Sequence, residues 1–282
     1  MSRVAVITDS TSYLPTGWAL REGIGIVPVQ VIVAGRAFDE TDGDQARAVA
    51  EALKEWKPVT TSRPTPARFL EAYGAAMAGG ATELVVATLS SALSSTYESA
   101  VIAARESSMD VTVVDTRTIG MALGFAVVAG AQAACDGGSA GEVASVIERR
   151  AAASSTFFMV DTLEYLRRGG RIGAARAVMG QALQVKPILT VREGSVVPLE
   201  QVRTAGKALA RLEELAVTAV TAAGGRVDLA VQHLVADERA RDLADRLRNR
   251  VPGITVVESP VGGVVGAHVG PGLVSVVVSP RT

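Results

Sequence analysis

The residues best suited to chemistry in this chain are hydroxyls, arginines and one loop histidine, types that hold an oxygen anion. The segment Thr60-Thr61-Ser62-Arg63-Pro64-Thr65-Pro66 places hydroxyls and a guanidinium on a backbone stiffened by two prolines. The same residues would also serve as a helix entry with a Ser or Thr cap. The run Ser90-Ser91-Ala92-Leu93-Ser94-Ser95-Thr96-Tyr97 follows an apolar strand and opens a helix, where free backbone N–H groups attract anions. Ordinary capping accounts for it equally. A serine nucleophile would need a Gly-x-Ser-x-Gly turn, and this run has no glycine.

Residues 161–173 read as a short helix with Arg167 and Arg168 at its end, stopped by Gly169-Gly170. Arg167 and Arg168 complement the helix dipole, whereas Arg171 lies beyond its reach. The segment 262–272 carries five glycines and His268 and reads as a loop in which backbone can approach a ligand or another segment closely. Residues 39–44, Asp-Glu-Thr-Asp-Gly-Asp, resemble a calcium loop only faintly, without the closing Glu, and fit a turn with Asp44 as a helix cap. The sequence holds no phosphate-binding Gly-x-x-x-x-Gly-Lys-Ser/Thr, no Gly-x-Gly-x-x-Gly after a strand and no metal-ligand spacing. Nucleotide chemistry, if it concerns this chain, is expected from a partner.

The elements that must position these groups alternate between strand and helix. Apolar runs at 4–7, 27–33, 84–87 and 111–114 alternate with helical patterns at 45–56, 67–77 and 97–105, with 57–66 read as a loop. This indicates a parallel sheet covered on both faces, with ligands beyond the carboxyl ends of its strands, where loops 8–12, 88–95 and 115–118 fall. The uncharged stretch 118–135 contains three glycines and no flanking aromatic belt, and fits a buried helix better than a membrane span. Cys135, the one cysteine, reads as a small buried side chain. A helix at 140–153 and a strand at 157–160 follow. Next come a hairpin at 187–199 turning at Arg192-Glu193-Gly194-Ser195, a helix at 205–223, and further alternation to 274–278. We divide the chain into an N-terminal α/β domain, 1–155, and a C-terminal α/β domain, 156–282.

The bulk composition agrees. Hydrophobic residues are 48% and aromatics 4%, so the core is aliphatic. Twenty-eight basic residues against 29 acidic ones, with no basic tract, argue against a nucleic-acid footprint. No signal-peptide pattern opens the chain, and a cytoplasmic protein is expected.

Seven segments, taken in order, resemble the DegV family. They are Thr8-Asp9-Ser10-Thr11-Ser12-Tyr13-Leu14-Pro15, Thr61-Ser62-Arg63-Pro64, residues 90–97, Asp115-Thr116, residues 161–173, Gln184-Val185-Lys186-Pro187-Ile188-Leu189 and His268-Val269-Gly270-Pro271-Gly272. The resemblance implies two α/β domains with a long-chain fatty acid buried between them. It also implies a role as the carrier that presents the carboxylate to a separate ATP-dependent fatty acid kinase for acyl-phosphate formation in phospholipid synthesis. By position it implies Thr61, Ser62 and Ser91 as carboxylate-binding residues, and Arg171, Arg203 and His268 on the head-group and partner side. No cofactor is implied beyond the bound lipid, ATP and magnesium coming with the kinase, and no integral membrane segment is implied, only transient contact with a membrane surface. The chain departs from the family at Arg63, where Gln is usual, and at Ala92 and Ser95, where Gly is usual. The alternative from the residues themselves is a stand-alone transferase or hydrolase using Ser91 and His268. For a carrier, about fifteen buried methylenes at roughly 0.8 kcal/mol each would dominate affinity, leaving the hydroxyls to fix position.

Overall fold

The computed structural model describes residues 3–40, 44–178 and 185–281. Two α/β domains face each other. In the first, β1 (Val4–Asp9), β2 (Ile24–Val27), β6 (Glu83–Thr88) and β7 (Asp110–Asp115) form a parallel sheet in the order β2-β1-β6-β7. Helices α1 (Trp18–Arg21), α3 (Pro66–Ala78), α4 (Thr96–Glu106), α5 (Met121–Cys135) and α6 (Ala140–Ala153) surround this sheet. Its two faces are apolar on alternate residues. Val4, Val6, Val85 and Ala87 pack toward α5 and α6. Ile7, Leu84 and Val86 pack toward α3 and α4 around Phe69 and Tyr73.

A small antiparallel sheet, β4-β3-β5, joins β3 (Gln30–Val33), β4 (Arg36–Asp39) and β5 (Val59–Ser62), with α2 (Asp44–Lys54) beside it. The apolar run 27–33 is thus two strands in different sheets. Pro28 explains the break, since it has no N–H to give a ladder and restricts the residue before it. The expected loop 57–66 contains a strand, because Val59-Thr60-Thr61 is β-branched and finds a partner in β3.

The second domain has a six-stranded sheet in the order β10-β9-β8-β13-β11-β12, where only β11 and β12 run parallel. Its strands are β8 (Ser155–Met159), β9 (Lys186–Arg192), β10 (Ser195–Val202), β11 (Val227–His233), β12 (Val256–Pro260) and β13 (Val274–Pro280). Helices α8 (Ala205–Ala222) and α9 (Asp237–Arg250) cover one face, burying Met159, Leu229, Val231, Val274 and Val276. The other face turns to the first domain. The helices α7 (Glu164–Arg168) and α10 (Gly263–Val269) lie at its edge, and α10 packs on α2 through Val49, Leu53, Val264 and Ala267.

Two expectations are corrected here. Cys135 is exposed, because it is the last residue of α5 and the helix ends at the surface there. His268 is on a helix, not in a loop. Gly263 and Gly266 let α10 sit so close to Val49 and Leu234 that an added Cβ would come within 3.0 Å of each. The buried-helix reading of 118–135 holds, with α5 buried over most of its length. Among the described residues no helix is long and apolar enough to cross a membrane. Asp44, expected as a cap, is the first residue of α2, whereas the calcium-like residues 41–43 and Gln184 lie outside the described residues.

Candidate functional site

The inward face of the six-stranded sheet and the strand ends of the first domain enclose a cavity of about 250 Å³. Its wall is mostly aliphatic, with Leu89, Ile119, Phe158, Val191, Val196 and Leu273 among the lining residues. Exposed Arg63 and Ser95 also line it, so it reaches solvent beside them.

Hydrogen bonds join the two domains beside this cavity and beyond it. Ser90 Oγ donates to the Gly194 carbonyl at 2.8 Å, seating the β9–β10 hairpin tip on the 90–95 turn. Gly194 has φ of +81°, and a side chain there would strike Ser90 Oγ. Ser259 Oγ donates to the Tyr13 carbonyl at 2.7 Å, and Met121 N–H donates to Gln232 Oε1 at 2.9 Å. The Arg150 guanidinium reaches Ser279 and Asp228 across the domains, leaving the cation buried but paired.

At the opening stand Thr61, Ser62, Arg63, Ser94, Ser95, Arg171 and His268. Thr61 comes from β5, and its hydroxyl is 2.9 Å from His268 Nε2 on α10. Burial, and secondarily the Arg171 charge, push His268 down to about 4, so the ring is neutral near pH 7. Its Nδ1 has no partner among the described residues and faces Gly169, where an added Cβ would come within 2.2 Å. An N–H at Nδ1 would be buried without an acceptor. The proton therefore belongs on Nε2, donating to Thr61 and leaving the Thr61 O–H free to point into the cavity.

Arg171 is held by two carbonyls. Its Nε donates to Leu93 at 3.0 Å and its Nη1 to Gly169 at 2.7 Å. Nη2 makes no hydrogen bond among the described residues and is left for an anion. Arg167 and Arg168, by contrast, are exposed and spent on Glu164, and Arg168 also stacks 4.5 Å over Trp56.

Two sequence-predicted residues do not reach the cavity wall. Ser91 turns away: its hydroxyl donates to Asp115 at 2.5 Å and its N–H to the same carboxylate at 3.1 Å. Ser94, three residues on, takes the place expected of it, beside Ser95 at the α4 N-terminus, where no side chain caps the helix. A Ser91–His268 pair is therefore not formed. Arg203 is exposed ahead of α8, with no ion pair among the described residues. Arg63 reaches the Ser95 carbonyl at 3.5 Å.

Sequence reasoning missed Glu40. Its buried carboxylate accepts from Ser10 Oγ at 2.8 Å, Tyr13 Oη at 3.2 Å and Val264 N–H at 2.8 Å. It thus ties the 10–13 turn of the first domain to the start of the helix carrying His268. Burial raises its pKa to about 7, against those three hydrogen bonds. Asp9, buried beneath the same loops, accepts from Thr11 and from Leu89 N–H, and burial raises it also. Among the described residues no cluster of His, Cys, Asp and Glu could hold a metal ion.

The family model described as "Uncharacterised protein, DegV family" matches residues 3–281. A DegV domain-containing protein of Streptomyces coelicolor is 53% identical over 283 residues, covering 100% of both chains. A DegV family protein from Thermus thermophilus, described for its fatty acid binding, superposes with a TM-score of 0.90 at 31% identity over 99% of each chain. DegV from Bacillus subtilis, described as a fatty acid binding protein, superposes at 0.89 with 29% identity over 100% of each chain.

Proposed function

Because the chain belongs to the DegV family, we propose that it binds a long-chain fatty acid in the interdomain cavity, carboxylate at the opening and acyl chain along the aliphatic wall. The observation that carries this is the joining of the two chemistries in one space. An apolar cavity ends at a free Thr61 hydroxyl, the Ser94 and Ser95 turn and an unspent Arg171 N–H. The Thermus and Bacillus relatives, described as binding fatty acids, support it.

A neutral His268 suits this role. It orients Thr61 without adding a charge that would have to be desolvated. Thr61 and Ser94 are the hydroxyls we assign to the carboxylate, with Ser62 at the rim; Ser91 is reassigned to holding the turn through Asp115.

The carboxylate would then be presented to a separate ATP-dependent kinase in the cytoplasm, which forms the acyl phosphate. The carboxylate oxygen attacks the γ-phosphorus and ADP leaves, so positioning and charge stabilisation dominate that step. In this reading Arg63, Arg171 and Arg203 face the partner. The lack of a nucleotide motif in the sequence is consistent with ATP arriving on the other chain.

Native mass spectrometry of protein expressed in bacteria tests the binding. One fatty acid mass per chain is expected, and a chain that stays lipid-free after incubation with fatty acid would contradict the proposal. The kinase step is tested by trapping acyl phosphate with hydroxylamine. Product is expected only when this chain, fatty acid, ATP and the kinase are all present.

A further inference from the structure

Three cavity-lining residues have a buried polar atom without a hydrogen-bond partner among the described residues. One is His268, whose Nδ1 is accounted for above. The others, Thr156 Oγ1 and Gln232 Nε2, lie away from the opening, and the interdomain bond of Gln232 uses only its Oε1.

They come from one face of the six-stranded sheet. Gln232 on β11 pairs with Ser275 on β13, and Ser275 pairs with Phe158 on β8. Thr156 lies two residues before Phe158, on the same face, and Ser275 also lines the cavity. Three polar side chains thus occupy adjacent strands, one pair directly opposed and the third on a diagonal.

The protein's own needs do not explain these groups. The acceptor half of Gln232 is used, since Oε1 receives the first-turn Met121 N–H. That bond also fixes which end of the amide is nitrogen. The nitrogen is left with two N–H donors in a side chain that is 2% exposed. Thr156 is 8% exposed, and its backbone carbonyl already accepts from Thr190. Valine would fill the same volume on this strand without a hydroxyl to satisfy. A wall built only for methylenes has no use for the Thr156 hydroxyl or the Gln232 N–H groups, each of which is costly to bury unpaired, and Ser275 adds a third polar group beside them.

We propose that Thr156, Gln232 and Ser275 form a second polar subsite that recognises an oxygen substituent on the acyl chain, so that the preferred ligand is a hydroxy fatty acid. This rests on the fatty-acid reading of the cavity. A hydroxyl can accept from Gln232 Nε2 while it donates to Thr156 or Ser275, which a double bond cannot do. The chemistry therefore separates hydroxylated from merely unsaturated chains.

Affinities should be measured for stearate, oleate and a series of stearates hydroxylated at successive carbons. The whole protein, stripped of lipid, is used. A narrow range of hydroxyl positions is expected to bind at least about five-fold tighter than stearate, with no such gain for oleate. In Thr156→Val and Ser275→Ala the ratio of hydroxystearate to stearate affinity should fall to about one or below. Reading each variant as a ratio cancels general changes in packing, and thermal melting shows that each has folded. Hydroxystearates that all bind more weakly than stearate, or a gain that survives both substitutions, would overturn the subsite while leaving the carrier reading in place. If neither stearate nor any hydroxystearate binds, the carrier reading falls and the subsite falls with it.

Discussion

The opening of the cavity and its inner wall use polar groups in opposite ways. At the opening nearly every polar side chain is anchored before a ligand arrives: Thr61 by His268, Arg171 by the Leu93 and Gly169 carbonyls. On the inner wall Thr156 and Gln232 keep buried polar atoms with no partner, surrounded by aliphatic side chains. Preorganised donors fix where a carboxylate sits at little entropic cost. In the proposed complex the aliphatic wall would supply most of the binding free energy, because each methylene contributes about 0.8 kcal/mol. On the proposed reading, position and affinity are divided between two parts of one cavity.

The largest effect should come from closing the wall. Val191→Trp is expected to weaken fatty-acid binding by at least about 100-fold, by filling space that the acyl chain needs. Isothermal titration gives the affinity, and a retained thermal transition shows that the fold is intact. Undiminished binding would move the ligand out of this cavity.

The second effect concerns Glu40, which ties the 10–13 turn to the start of α10. Its carboxyl titrates at about 7 in the folded chain against an ordinary 4.5. Folded protein then holds a proton that unfolded protein has lost, so stability from this group is full below about 4.5 and declines until about 7. The whole effect is about 3 kcal/mol. Glu40→Gln should flatten that part of the stability curve between pH 5 and about 7.5, measured by urea unfolding. Asp9, also raised by burial, keeps a slope of the same sign in both proteins, so the difference between the curves reports Glu40 together with its charge coupling to Asp9.

Third, removing an anchored donor at the opening should cost less than closing the wall. Thr61→Val is expected to weaken binding by about ten-fold and to leave the apolar share of affinity intact. The smallest effect distinguishes two serines of one turn. Ser94→Ala should weaken binding by a few-fold, whereas Ser91→Ala should change binding by less than about two-fold and lower stability by about 1 kcal/mol. A larger loss of binding from Ser91→Ala would restore Ser91 to the site.

These two serines also show where sequence reasoning stops. The run 90–97 was legible as a strand-to-helix turn rich in hydroxyls, and α4 begins there. Which hydroxyl points inward was not, because it depends on Asp115, 24 residues away, capturing Ser91. His268 was legible as a functional candidate but not as helical. Glycines that discourage a helix in isolation here allow α10 to pack closely on Val49 and Leu234. The second strand of residues 27–33 and the strand β5 became visible only with their long-range partners, since a four-residue strand has little local signal. Helix α6 has the bounds expected from its pattern, 140–153, and the structure gives its start a capping box between Ser139 and Glu142. Glu40 was legible only as part of an acidic turn, 39–44. Its neighbours in sequence are acidic and polar, and only the fold buries it.

The most direct measurement is a crystal structure of the chain with stearate bound. The account predicts the carboxylate within hydrogen-bonding distance of Thr61 Oγ1, near Ser94 and Arg171, with the acyl chain running inward past Phe158 between the two sheets. A carboxylate bound at Ser91, or a lipid lying outside the interdomain space, would contradict it.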